Sequence, residues 1–307
     1  MSNTMTPSDG TRLLLAGRPS LIDFVRTIKT SAVGASDLDE MELTREWRTA
    51  HALVKELQSN DASSADMHDL EGLPSTVSQD AETILERPEF QHKYGLVPYT
   101  WALVELDRLI VWQSYVDLPY VALLRERLGY RPSLRELVRF AAGESNDKPP
   151  VCVTGYGGND YVITSPSSDL RVLSISQLDP KSFQDYNTGG RPAAMFGVYV
   201  GYSMNTLSAV HMSGRTILMN GTHRAYALRA HGLTHVPCMI RRPLSTEDLD
   251  LVGPGNADAR FSTSFTAKRP PLLKDFFDPR LVKSYPAVRK THQIEVKIRV
   301  EHSIVAI

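Results

Sequence analysis

The sequence predicts an α+β protein: an all-helical first domain over residues 1–148, a mixed α/β domain over 149–245, and an extension with one added strand over 246–307. Three observations lead there. Apolar residues recur every three or four positions from Leu43 to Leu57, the spacing that lines one face of a helix. After Pro150 the pattern turns extended, with short β-rich runs between turn residues. Between the two, residues 143–150 carry no period and mark a boundary.

The first half supplies its helices in order. Leu43, Trp47, Ala50, Val54 and Leu57 form the buried stripe of a helix ending near Asn60. Residues 61–79, rich in Ser, Asp and Gly, read as a long surface loop. Pro98 opens a helix that is apolar nearly all round, through Trp101, Val104, Leu106, Leu109, Val111 and Val116. Its charges Glu105, Asp107 and Arg108 read as a structural ion pair or a solvated edge, and Trp101, Trp112 and Tyr115 as core packing. Tyr120 to Leu128 forms the next helix, with Gly129 just past its end. Ser133 and Glu136 then make a capping box, each satisfying one orphan amide of a helix running to about Ala142.

Composition limits the function classes. A chain of 307 residues, 42% hydrophobic and 22% charged, can bury a core, which excludes disorder, collagen and coiled coil. Residues 101–115 are the greasiest stretch, and four polar side chains interrupt them, so no membrane span and no membrane partner are expected. The run from Leu13 to Ala16 is too short for a secretory signal, which makes the cytoplasm the expected location. The 2 cysteines, Cys152 and Cys238, lie far apart and read as buried thiols. A net charge of -1 hides an excess of about seven negative charges before position 150 and about six positive after it.

The second half carries the chemistry. Strands are predicted at 151–154, 161–164, 171–175, 196–200, 208–212 and 215–219, with Ser213-Gly214 as the hairpin turn. The segment from Asn220 to Pro237 then reads as turn, helix, glycine stop and strand. Gly221 lets the chain turn sharply and Thr222 serves as a cap. The amides of Thr222, His223 and Arg224 face outward from the helix start, where the dipole favours an anion. Arg224 adds a bidentate phosphate contact and His223 a donor or proton relay.

The run from Ile217 to Arg224, its alanine-rich helix, Gly232 and Val236-Pro237 resemble the core motif of the ParB/sulfiredoxin superfamily. Val172 to Pro180 resembles the strand and Leu-Asp-Pro turn that open such domains, and the likeness spans about 70 residues. It implies a mixed α/β domain that binds ATP or CTP with Mg2+ through Asn220, Gly221, Thr222, His223 and Arg224. Arg191, in an insertion over residues 187–192, would reach a second phosphate, and His223 and Asp179 would handle a proton or metal. The departures narrow this. Thr222 stands where sulfiredoxins carry their nucleophilic cysteine, which removes sulfinic acid reduction, and no helix-turn-helix follows, which argues against centromere clamping. The expected activity is nucleoside triphosphate hydrolysis or phosphoryl transfer. The alternatives are a non-enzymatic DNA- or protein-binding module and an ATP-dependent small-molecule kinase.

Two further groups complete the inventory. His211, His231 and His235 do not converge with His223 by spacing, so no resident protein metal site is expected. In the tail, Arg280, Lys283, Arg289 and Lys290 read as a solvated face, with a DNA or protein surface as the alternative, and 294–300 alternates like an edge strand. The sequence leaves the oligomeric state open.

Overall fold

A computed structural model describes residues 10–67, 69–88, 90, 97–143, 150–156, 160–167, 169–179, 193–202, 205–245, 247–249, 259–288, 292–299 and 301. The chain divides into two compact units, a body made of residues 1–144 and 205–288 and an inserted unit made of 145–204 and 289–307.

The body begins with β1 (Thr11–Leu15), α1 (Leu21–Ser31), α2 (Glu40–Asn60) and α3 (Ser75–Leu85). It continues through β2 (Thr100–Glu105), β3 (Ile110–Val111), β4 (Tyr115–Asp117), α4 (Leu118–Leu128) and α5 (Leu134–Ala142). The inserted unit supplies β5 (Cys152–Tyr156), β6 (Asp160–Ser165), β7 (Leu170–Leu178) and β8 (Met195–Tyr202). The body resumes as β9 (Ser208–Met212), β10 (Arg215–Asn220), α6 (Thr222–Ala230), β11 (His235–Arg241), α7 (Ala259–Thr266) and β12 (Val282–Pro286), and β13 (His292–Lys297) returns to the inserted unit.

The architecture is mixed α/β, but the first half is not all-helical. The apolar run after Pro98 is β2, a short 3-10 turn at Leu106–Arg108, β3 and β4. A short apolar run has the same appearance in a buried strand as in a buried helix, and here strand pairing decides. β2 lies antiparallel to β11, with Val104 opposite Val236 and Ala102 opposite Cys238, while β3 lies parallel to β10. The five-stranded sheet is therefore ordered β2-β11-β9-β10-β3, with strands from both halves of the sequence. The body gives way to the insert after residue 144 and continues again from Asn205. A second sheet, ordered β12-β1-β4, brings together strands near positions 13, 116 and 284. The predicted loop over 61–79 holds a 3-10 turn at Ala62–Ala65 and the start of α3.

Other local signals of the sequence are matched by the backbone. Ser133 and Glu136 form the capping box, and α5 ends at Gly143 in the left-handed region. The turn between β9 and β10 has φ of 52° at Ser213 and 69° at Gly214, as a tight hairpin with the right strand twist requires. In the inserted unit β13 pairs with β6 at the edge of the sheet β13-β6-β5, and β7 and β8 form a separate ribbon. The body core packs Ile110, Val210, Ile217, Phe261, Phe265 and Leu272 against one another. A second cluster joins Leu14, Phe24, Ile28, Leu43, Ala50 and Tyr285. Among the described residues, no helix is long and apolar enough to cross a membrane.

Candidate functional site

β10 ends on Asn220, and Gly221 turns the chain into α6 at φ +92°, in the left-handed region. A Cβ there would stand 2.6 Å from the Thr206 carbonyl oxygen, so both conformation and space require glycine. The first rung of the helix ladder is Ala225 N–H donating to the Gly221 carbonyl at 2.7 Å, so the amides of Thr222, His223 and Arg224 precede it. The Gly221 cap receives no side-chain hydrogen bond.

The corner is closed rather than the outward-facing cradle expected. Gly221 and Thr222 are buried, and Arg224 is only 5% exposed. Arg224 Nη1 donates to the Asn205 backbone oxygen and, at 3.1 Å, to Asn205 Oδ1, and its guanidinium lies 5.1 Å from the centre of the Phe140 ring. Among the described residues no carboxylate pairs with Arg224, and its Nε has no hydrogen-bond partner. Burial pushes its pKa down to about 10, because a buried cation without a counter-charge is costly.

His223 lies edge-on to Tyr120, ring centres 5.4 Å apart, and to Tyr115 at 6.2 Å. Its Nε2 is buried, has no hydrogen-bond partner among the described residues, and stands 3.7 Å from Asp117 Oδ2. Asp117 also takes a bidentate fork from Arg12 at 2.6 and 3.2 Å. Burial alone would push the Asp117 pKa up, but His223 and Arg12 outweigh it and hold the carboxyl below its ordinary value. Asp117 is also the cap residue of α4. The starts of α4 and α6 thus meet at one corner, where Arg12 and His223 stand around the Asp117 carboxylate. Asn205 ties the corner together, since its Nδ2 donates to the Tyr120 hydroxyl.

The predicted residues Asn220, Gly221, Thr222, His223 and Arg224 come together here. Asp179 does not share their unit: it follows β7 in the insert and is exposed. Arg191 and residues 187–190 and 192 lie outside the described residues. The carboxylate beside His223 is Asp117, and Tyr115, Tyr120, Asn205 and Arg12 complete the surroundings. None of these was visible as a site in the sequence, because they come from β1, β4, α4 and the segment before β9. Tyr115, expected as a core residue, also carries the Arg12 guanidinium over its ring at 4.3 Å.

Charges elsewhere are taken up structurally. Asp107 pairs with Arg229 at 2.6 Å and Arg108 with Glu105 at 2.6 Å, the structural ion pairs expected, though at the end of β2 and in a 3-10 turn rather than on a helix. In the tail, Arg280 pairs with Asp278 and Lys283 with Glu46, while Arg289 and Lys290 lie outside the described residues. Among the described residues, an ionic cluster joins Arg18, Arg269, Lys274, Asp61 and Asp275, with Arg269 and Asp275 both 2% exposed. His211 bonds to Thr216 and His231 to the Tyr130 carbonyl, and among the described residues no three metal-binding side chains come together. Cys238 is buried with its thiol pKa pushed up, whereas Cys152 is exposed, contrary to expectation. No protein-family model, curated protein or solved structure matches this chain.

Proposed function

We propose that the corner at residues 220–224 binds the phosphate chain of a nucleotide, ATP or CTP carried with Mg2+, as the ParB/sulfiredoxin resemblance implies. The observation that supports this reading is Arg224, a buried guanidinium with no counter-ion among the described residues. A buried cation costs several kcal/mol unless something pairs with it. Its Nη1 is spent on Asn205, but its Nε and Nη2 make no hydrogen bond among the described residues. Those two nitrogens form the edge of a guanidinium that grips a phosphate or carboxylate with two parallel hydrogen bonds.

The neighbouring groups fit the same ligand class. The amides that open α6 offer donors in a positive helix field. His223, held between two tyrosines and beside Asp117, is placed to donate to a phosphate oxygen or take a proton from an attacking hydroxyl or water. Hydrolysis or phosphoryl transfer would then rest on positioning and charge neutralisation. Because the corner is closed, the ligand enters only after side chains move, so association should be slow relative to a preformed site.

Titration calorimetry of the full chain with ATP, CTP and inorganic tripolyphosphate, each with and without Mg2+, tests the reading. Saturable heat for at least one of them, lost in Arg224→Met, is the expected result. Heats no different from buffer for all three end it. So does unchanged binding in the variant.

A further inference from the structure

The guanidinium that would hold the ligand also holds the root of the inserted unit. The chain leaves the body at residue 144 and re-enters it at Asn205. Inside the body these two roots run side by side: Leu207 N–H donates to the Ala141 carbonyl at 2.7 Å, and a Cβ on Gly143 would collide with the Asn205 carbonyl oxygen. Arg224 closes this junction. Its Nη1 donates to the Asn205 backbone and side-chain oxygens, and its guanidinium lies against the ring of Phe140, three residues before Gly143.

We infer that anion binding at Arg224 tightens the junction from which the inserted unit hangs, making the order of that junction ligand-dependent. The inference rests on the anion-binding reading above and adds its regulation. Two edges of one cation carry it. A guanidinium gripped along its Nε–Nη2 edge keeps Nη1 on Asn205, so ligand and root are bridged by one rigid planar group rather than competing for it. Without the ligand that cation is buried uncompensated, which weakens its hold on the corner. With the ligand bound, the charge is paired, and opening the junction would also disrupt the binding site. By linkage, stabilising the closed junction and binding the anion must favour each other equally.

Hydrogen exchange of the full chain, with and without saturating tripolyphosphate or Mg-ATP, reads this directly at residues 205–208 and 141–143. The expected result is at least tenfold slower exchange there on binding, together with protection at 222–225. Calorimetry on the same samples separates the two claims. No binding overturns both, while binding that protects 222–225 and leaves 205–208 unchanged or faster overturns this inference alone. Asn205→Asp supplies a second arm, since a carboxylate beside Nη1 neutralises Arg224 internally. Exchange at 206–208 should then be slow without ligand, and anion affinity at least tenfold weaker. A variant that binds the anion at least tenfold more weakly while its ligand-free junction exchanges as in the wild type contradicts the coupling.

Discussion

At the scale of single residues, Arg224 and Gly221 make opposite demands. Burial that pushes the Arg224 pKa down to about 10 corresponds to roughly 3 kcal/mol of penalty for the charged form in the folded state. The sign follows from a base whose folded pKa lies below its unfolded one. The penalty is present in full below about pH 10 and is relieved only as pH rises above it toward the ordinary arginine value. Replacing the cation with Met removes that penalty and fills the space, at the cost of the two bonds to Asn205. Urea unfolding at pH 7 should find Arg224→Met no less stable than wild type, to within about 1 kcal/mol. A loss of 3 kcal/mol or more would mark the arginine as a structural strut. Gly221→Ala should cost about 2 kcal/mol or more, because left-handed strain and a backbone collision act together. The same measurement checks it. The turn motif was legible in the sequence because Gly, Thr, His and Arg at a helix start announce themselves locally. The burial of Arg224 was not, because Asn205 and Phe140 reach it from distant parts of the chain.

Secondary-structure elements explain why half of the corner went unseen. The stretch from Trp101 to Val116 shows no clear period in either register, and only its partners β11 and β10 make it strand. Once β4 is a strand leading into α4, Asp117 sits at the junction of both, 3.7 Å from His223. The junction has a measurable acid limb. An acid whose folded pKa is lowered contributes stability that is present above its unfolded value near 3.8 and lost as pH falls through the folded value. Asp117→Asn should therefore lower the unfolding midpoint at pH 7 and converge with wild type as pH falls through the lowered value of the folded carboxyl. Midpoints that stay a constant distance apart across that range would show that the carboxylate contributes nothing through its charge. The buried cluster at the other face follows a different rule. Asp275 accepts from Arg18, Arg269 and the Leu272 amide, so Asp275→Asn leaves two buried cations short of a counter-charge and should cost roughly 3–5 kcal/mol. Thermal unfolding of that variant provides the check.

For the whole molecule, the sequence shows a change of character near Pro150 but not the return to the body at Asn205. Strand order explains the difference, because the body's sheets draw on residues from both ends of the chain, a long-range fact that no local window contains. The two units also differ in how much they bury. Among the described residues of the inserted unit, only Ile163, Ser165 and Leu170 are buried, whereas the body holds the two large clusters. Local opening costs less where few apolar contacts hold a segment. Amides of β5, β6 and β13 should thus exchange at lower denaturant than those of β9, β10 and β11, with a gap of a few kcal/mol between the two groups. Coincident exchange of all six strands would show one cooperative unit instead.

The middle position of β1, between a partner that precedes α4 and one that ends at Pro286, bears on how the polypeptide is made. A ribosome delivers Thr11–Leu15 long before Val282–Pro286, so one side of the earlier strand has no neighbour until the later one emerges. Nascent chains truncated before position 282 should carry that open edge, and with it a tendency to pair wrongly with each other.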